Sequence, residues 1–372
     1  MGDDFFQIAA RDPACRARTG RMRFLRGEVP TPCFAPVGTY GTVKAMTPEE
    51  VEACGASLIL ANTYHLYLRP GAGTIESLGG LHRFMHWEKP ILTDSGGFQV
   101  YSLATFRKIS EQGVLFRSHL DGSEHLLTPE GVIGIQRQLG SDIAMVLDEC
   151  PAADAPREYL EKSLDLTTRW AERSLKNRQE KPERIFGIIQ GGVDVELRRR
   201  HASQIGALPF DGLAIGGLGV GETPEKFAET LAGMADALDP QRPHYLMGLG
   251  RPEDILEAVT HGVDLFDCVL PTRNARNGQA FTRRGPLAIK NAEHAQSDKP
   301  LEEGCGCYAC QYYSRAYLRH LYMAGEILSA RLLTTHNIYF YEAVMREIRE
   351  AIAEGRFLGY KKALLESLQG GR

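Results

Sequence analysis

Asp94 follows the apolar run Ile91-Leu92-Thr93, Asp148 follows Met145-Val146-Leu147, and Asp267 follows Leu265-Phe266. Acids that close buried runs converge when the runs are parallel strands of one barrel, whose active sites lie at the strands' C-terminal ends. Two such carboxylates can act on a sugar C1′ centre. One attacks as nucleophile while the other handles the proton of the leaving or entering group. Asp also caps turns and helices from such positions. Three acids beside glycine-rich turns favour the pocket reading. Those turns are Ser95-Gly96-Gly97, Gln190-Gly191-Gly192 and Gly216-Gly217, where backbone N–H groups can approach a flat ligand closely. Gln190 can present its amide to a purine edge. Phe98 and Met247 can sandwich a planar ring, or serve as core packing.

A second constellation is Cys305-x-Cys307-x-x-Cys310, three thiolates at chelating spacing, with His336 further along as the fourth ligand. A Cys3His set closes a tetrahedral zinc shell and leaves no open position, so one structural Zn2+ per chain is expected. His320 and His294 are the fallback ligands. The other five cysteines (Cys15, Cys33, Cys54, Cys150, Cys268) are scattered and read as small buried hydrophobes.

The elements that must position these groups are legible from their caps. Thr47-Pro48-Glu49-Glu50 reads as an N-cap, a first-turn proline and a capping-box Glu. Thr128-Pro129, Thr223-Pro224 and Arg251-Pro252 start further helices. Glycines at 55, 140 and 262 close three of these helices, and an apolar run follows each. Seven strands can be counted between residues 58 and 290, with an eighth not evident. Strand and helix alternate over about 250 residues, which favours an α/β fold of the (β/α)8 TIM-barrel type over an open doubly wound sheet. No G-x-G-x-x-G follows the first strand, which weakens a dinucleotide-binding reading. The expected division is a barrel over 1–272 with a hairpin inserted near 107–127, a zinc-binding subdomain with the end of the barrel over 273–340, and a C-terminal helical stretch over 341–372.

The 372 residues are 43% hydrophobic and 24% charged, which excludes a largely disordered chain. No stretch approaches the roughly 18 apolar residues of a membrane span. The first six residues lack a basic start followed by an apolar run, so a cytoplasmic location without a membrane partner is expected. The net charge of −4 disfavours nucleic acid at first sight. Its distribution reverses that impression. Residues 273–320 carry eight basic side chains against four acidic ones, starting just past Asp267. A basic segment beside a catalytic carboxylate suits a polyanionic substrate, though a solvated, internally paired face has the same composition.

Taken together, these residues resemble the tRNA-guanine transglycosylase family in its bacterial form. The resemblance rests on Asp94-Ser95-Gly96-Gly97-Phe98-Gln99-Val100, Phe116-Arg117-Ser118-His119-Leu120-Asp121-Gly122, Asp148-Glu149-Cys150 and Gly187-Ile188-Ile189-Gln190-Gly191-Gly192. It continues through Gly216-Gly217-Leu218 with Gly221-Glu222, Phe266-Asp267-Cys268-Val269-Leu270-Pro271-Thr272-Arg273, and the cysteine cluster with Thr335-His336-Asn337. It implies exchange of guanine at the tRNA wobble position for a 7-deazaguanine. Asp267 would be the nucleophile and Asp94 the general acid/base. Asp148, Gln190 and Gly217 would read the purine edge, with Phe98 and Met247 on the ring faces. Leu218, assisted by Glu222, would meet the 7-substituent. Cys150 and Val220 resemble the branch that takes 7-aminomethyl-7-deazaguanine. Arg251, Thr272, Arg273 and Arg276 would hold tRNA. The partners implied are tRNA, the free base, guanine and a second copy of the chain. Two departures touch the pocket rim: Gly219 stands where Ala or Ser is expected, and Pro151-Ala152-Ala153 replaces a Thr-Pro type sequence. Two other readings use the same residues. A retaining glycoside hydrolase would employ Asp94 and Asp267, and a non-catalytic zinc-containing RNA-binding protein would employ neither.

Overall fold

A computed structural model describes residues 5–103, 106–152, 155–179, 183–219 and 221–370. Val220 and Ala153 lie outside the described residues. Eight parallel strands form one sheet: β1 (Cys33–Pro36), β2 (Ile59–Ala61), β3 (Ile91–Thr93), β4 (Ile143–Met145), β5 (Arg184–Ile189), β6 (Gly212–Ile215), β7 (His244–Leu246) and β8 (Leu265–Cys268). Each pairs with its neighbours in chain order, and β8 pairs in parallel with β1. A parallel bridge between Val37 and Leu60 joins β1 to β2, so the sheet closes on itself. This is the expected barrel.

The eighth strand is β1, which precedes the span in which seven were counted. Proline stands at 30, 32 and 36 around it, and proline cannot donate to a ladder. Its neighbours nonetheless bury Cys33, Phe34 and Ala35 completely or nearly so. Strand interiors carry Ile, Leu, Val, Phe and Ala on both faces, because helices cover one side and the packed barrel interior the other.

The predicted caps form. The Thr47, Thr128 and Thr223 side chains accept the backbone N–H groups of Glu50, Gly131 and Lys226. Glu50 returns a bond to the Thr47 N–H at 2.9 Å, completing the capping box.

Below the barrel, Phe6–Arg11, Arg18–Phe24 and Gly27–Thr31 make a three-stranded antiparallel sheet. Its Arg18 is buried and holds Asp264, just before β8, with two bonds of 3.0 and 2.6 Å. The same guanidinium caps the carbonyls of Pro240 and Arg242, just before β7. This sheet therefore plugs the N-terminal ends of the strands and leaves the opposite mouth open.

The insertion near 107–127 is a three-stranded meander, Arg107–Ser110, Gly113–Arg117 and Glu124–Leu127, not a two-stranded hairpin. Its first strand is short, polar and at the sheet edge, so its sequence reads as loop.

After β8 the chain forms the helix Leu270–Arg276, a hairpin of Gln279–Thr282 with Gly285–Ala288, and short helices Tyr308–Tyr312 and Arg315–Met323. The helix Ile327–Ala353 then runs unbroken across the 340/341 division read from the sequence. Phe357–Gln369 is the last helix.

Candidate active site and metal centre

Asp94, Asp148, Gln190, Gly217, Met247 and Asp267 all stand at or just past the C-terminal ends of barrel strands. Asp94 is held by the neighbouring β2 end. The Thr63 N–H donates to its Oδ1 at 2.8 Å, and Asn62 Nδ2 donates to its Oδ2 at 2.5 Å. Gln99 adds a third donor at 2.9 Å from the following helix. Burial pushes the carboxyl up to about 6, opposed by the Asn62 and Thr63 bonds and reinforced by the charge of Asp267. Asn62, Thr63 and Gln99 were not singled out from sequence. The position of Asn62 directly after an apolar run was the available signal.

Asp267 receives two bonds on one oxygen. Tyr245 OH donates to Oδ1 at 2.6 Å and the Gly248 N–H at 2.7 Å. Among the described residues Oδ2 accepts none, so it is the oxygen left open. Burial raises this carboxyl too, while the Tyr245 and Gly248 bonds favour the anion. Tyr245 is itself held far above the usual phenol range by burial and by Asp267, so it stays a donor.

Asp148 accepts Gln190 Nε2 at 2.7 Å and is pushed up to about 6 by burial, against that bond. Gln190 Oε1 is buried with no partner among the described residues. Gly217 has φ of +65°, and a Cβ there would collide with Gln190 Oε1, so this wall of the pocket tolerates only glycine. Glu222 accepts the Gly219 N–H, which fixes the peptide plane that carries the Leu218 carbonyl. Cys150 is half-buried. Burial, then the charge of Asp148, raises its thiol to about 12, so it is a neutral group and not a nucleophile. Phe98 is 51% exposed on the helix Gly97–Leu103 and stacks near Tyr101, whereas Met247 packs partly against the core.

Cys305, Cys307, Cys310 and His336 come together in the structure, with their ligand atoms all within 4.8 Å of one another. The three sulfurs lie 3.7, 3.4 and 3.4 Å from His336 Nδ1. Tetrahedral geometry with metal–S near 2.3 Å and metal–N near 2.05 Å requires about 3.6 Å. The donor set thus fits one four-coordinate ion. His336 Nε2 lies 2.7 Å from the Phe281 carbonyl, which assigns its proton to that nitrogen and leaves Nδ1 as ligand. His320 and His294 lie outside the cluster.

The four groups assigned to tRNA differ in availability. Arg273 and Arg276 are exposed beside the mouth. Arg251 is forked onto Asp254 by two bonds of 2.9 Å. Thr272 is buried, its hydroxyl bound to the Val269 carbonyl. Part of the basic surplus in 273–320 is structural. Arg283 pairs with Glu347, Arg315 caps the carbonyls of Pro300 and Leu301, and Lys299 pairs with Glu303.

A family model for queuine tRNA-ribosyltransferase matches residues 12–370. The chain belongs to this family. A queuine tRNA-ribosyltransferase of Thioalkalivibrio sulfidiphilus is 56% identical over 351 residues, covering 94% of each chain. The similarly named protein of Novosphingobium aromaticivorans is 55% identical, covering 95% of this chain and 96% of its own. That of Caldanaerobacter subterraneus is 52% identical over 99% and 98%. Membership matches the resemblance carried by the Asp94, Asp148, Gln190 and Asp267 motifs. Among the described residues, no helix is long and apolar enough to cross a membrane.

Proposed function

We propose that the protein is a tRNA-guanine transglycosylase. It exchanges guanine at the wobble position of tRNAs with GUN anticodons (those for aspartate, asparagine, histidine and tyrosine) for 7-aminomethyl-7-deazaguanine. The observation that carries this reading is two buried carboxyls at the mouth of the barrel, Asp94 and Asp267, close enough for the charge of Asp267 to raise Asp94, with Asp267 bound through Oδ1 alone among the described residues.

The chemistry follows from those groups. Asp267 Oδ2 attacks ribose C1′, the C1′–N9 bond breaks, and guanine leaves with the electron pair and a proton from Asp94. The incoming base gives its N9 proton to Asp94. Its N9 then attacks C1′, and the Asp267 carboxylate departs. Two displacements retain configuration at C1′. Asp148, as the anion, accepts from the purine N–H groups, while Gln190 and the Gly217 backbone meet its oxygen edge. Leu218 and Glu222 suit a 7-substituent that ends in an amine. Arg273 and Arg276, outside the pocket and exposed, suit the phosphates.

The cysteine cluster supports one structural zinc ion, held by Cys305, Cys307, Cys310 and His336. Bound there, zinc would tie the segment after β8 to the helix Ile327–Ala353. Tyr308, Tyr312 and Tyr317 are exposed in a ring-packed group beside it, which supports a homodimer contact.

Labelled guanine, tRNA and purified protein test the function directly. Incorporation of label into tRNA is expected, and its absence in folded protein refutes the proposal. A hydrolase would instead release base with nothing incorporated. Asp267→Asn should bind tRNA yet form no tRNA–protein band that survives denaturation. A persistent band would show that the nucleophile is misassigned.

A further inference from the structure

The helix Val195–Gly206, which follows β5, sends two fully buried polar side chains toward the mouth. They are Arg198 and His201, one helical turn apart and therefore on one face. His201 Nδ1 accepts the Gln190 backbone N–H at 2.9 Å. Arg198 spreads its guanidinium over three carbonyls. Nε donates to Gly192 at 2.7 Å, Nη1 to Ile189 at 3.2 Å and Nη2 to Gly217 at 3.3 Å. Glu222 is the carboxylate whose charge favours the Arg198 cation through space, and the bonds that hold the guanidinium in place are those to the three carbonyls.

Burying a guanidinium is costly, and a charge acting through space does not replace the lost water, so its N–H groups must find well-placed acceptors. Arg can do this because five donors sit in a rigid planar fork. The Ile189 carbonyl ends β5, and those of Gly192 and Gly217 belong to the turns after β5 and β6, the turns that carry Gln190 and Gly217. Gly191 between them has φ of +140°, and a Cβ there would press on Arg198 at 3.0 Å. The strands need no such clamp, since Phe186 to Ile189 of β5 already ladder with Gly212 to Ile215 of β6.

We infer that Arg198 is a positioning residue for base recognition, setting the separation of the Gln190 amide and the Gly217 backbone that must meet one purine edge. The inference rests on the base-exchange reading above. A free base has only this pocket to bind it, whereas tRNA spreads its affinity over many phosphate contacts. Loosening the turns should therefore weaken free-base binding selectively.

The test measures exchange of labelled guanine with guanine and tRNA varied separately, in Arg198→Met and Arg198→Lys, beside thermal melts. In Arg198→Met the KM for guanine should rise tenfold or more, with the KM for tRNA within twofold of wild type. Arg198→Lys should fall between the two, because an ammonium can keep some but not all of the three carbonyls. An unchanged KM for guanine, or a KM for tRNA that rises in step, overturns the inference even if the melting temperature drops. If Arg198→Met does not fold, Arg198→Lys decides on the same criterion. If the wild type exchanges no base, the functional reading has failed, and calorimetric titration with guanine still judges the clamp. Weaker binding to Arg198→Lys than to wild type supports it. Equal binding, or none to wild type, overturns it.

Discussion

Asp94 and Asp148 are both pushed up to about 6, mainly by burial, and in the proposed exchange both meet the incoming base as anions. Each is protonated below that value. The kcat/KM for the incoming base should therefore fall as pH drops below about 6, and a pH profile with saturating tRNA reads this limb. A flat profile between pH 5 and 7 would contradict the assigned roles. The same shift makes a stability prediction. The folded chain holds the Asp94 proton more tightly than the unfolded chain, so the penalty for the buried charge is present above about pH 6 and disappears below the ordinary carboxyl range near 3.8. Asp94→Asn removes that charge, and Gln99, whose Oε1 has no partner among the described residues, can turn its amide to meet the new NH2. The variant should be inactive yet melt higher than wild type at pH 8, by on the order of 2 kcal/mol of stability. The difference should shrink as pH falls from 6 to 4. A lower melt at pH 8 would show that the Asn62, Thr63 and Gln99 bonds outweigh the desolvation.

Elements that announce themselves by local chemistry were readable in the sequence. Thr-Pro-Glu starts marked three of the helices, and apolar runs followed by an acid marked β3, β4 and β8 together with the carboxylates proposed for the site. What stayed hidden depends on distant partners. β1 is a strand because β8 and β2 flank it, in spite of its prolines. The edge strand Arg107–Ser110 is polar because only one of its sides is paired. Tyr245 and Arg198 make side-chain bonds that no spacing rule reveals. The N-terminal sheet had no reading at all, and the structure makes it the floor of the barrel through Arg18. Arg18→Met would leave Asp264 buried and uncompensated, which costs about 3–5 kcal/mol. A marked fall in melting temperature with the KM for guanine unchanged is expected, since the change lies at the end of the barrel away from the mouth. A change in that KM with no loss of stability would refute this division of labour.

At the scale of the molecule, the metal cluster and the barrel share one helix. Ile327–Ala353 contributes His336 to the cluster, while Asn337 bonds Pro271, Gln279 and Phe281 around the segment after β8. Tyr341 reaches the Gly250 carbonyl near the mouth, and Arg349 reaches the Pro32 carbonyl just before β1. Metal analysis should find one zinc per chain, and Cys310→Ser should lose it and melt lower. Full stability without metal would refute a structural role. Because 27 consecutive residues serve the cluster at one end and the strand ends along the rest, the two parts are not interchangeable modules. A recombination breakpoint between His336 and Arg349 would join one parent's cluster ligand to the other parent's barrel contacts. Viable chimaeras between relatives should therefore inherit residues 336–349 from a single parent, together with their contacts from β8 onward.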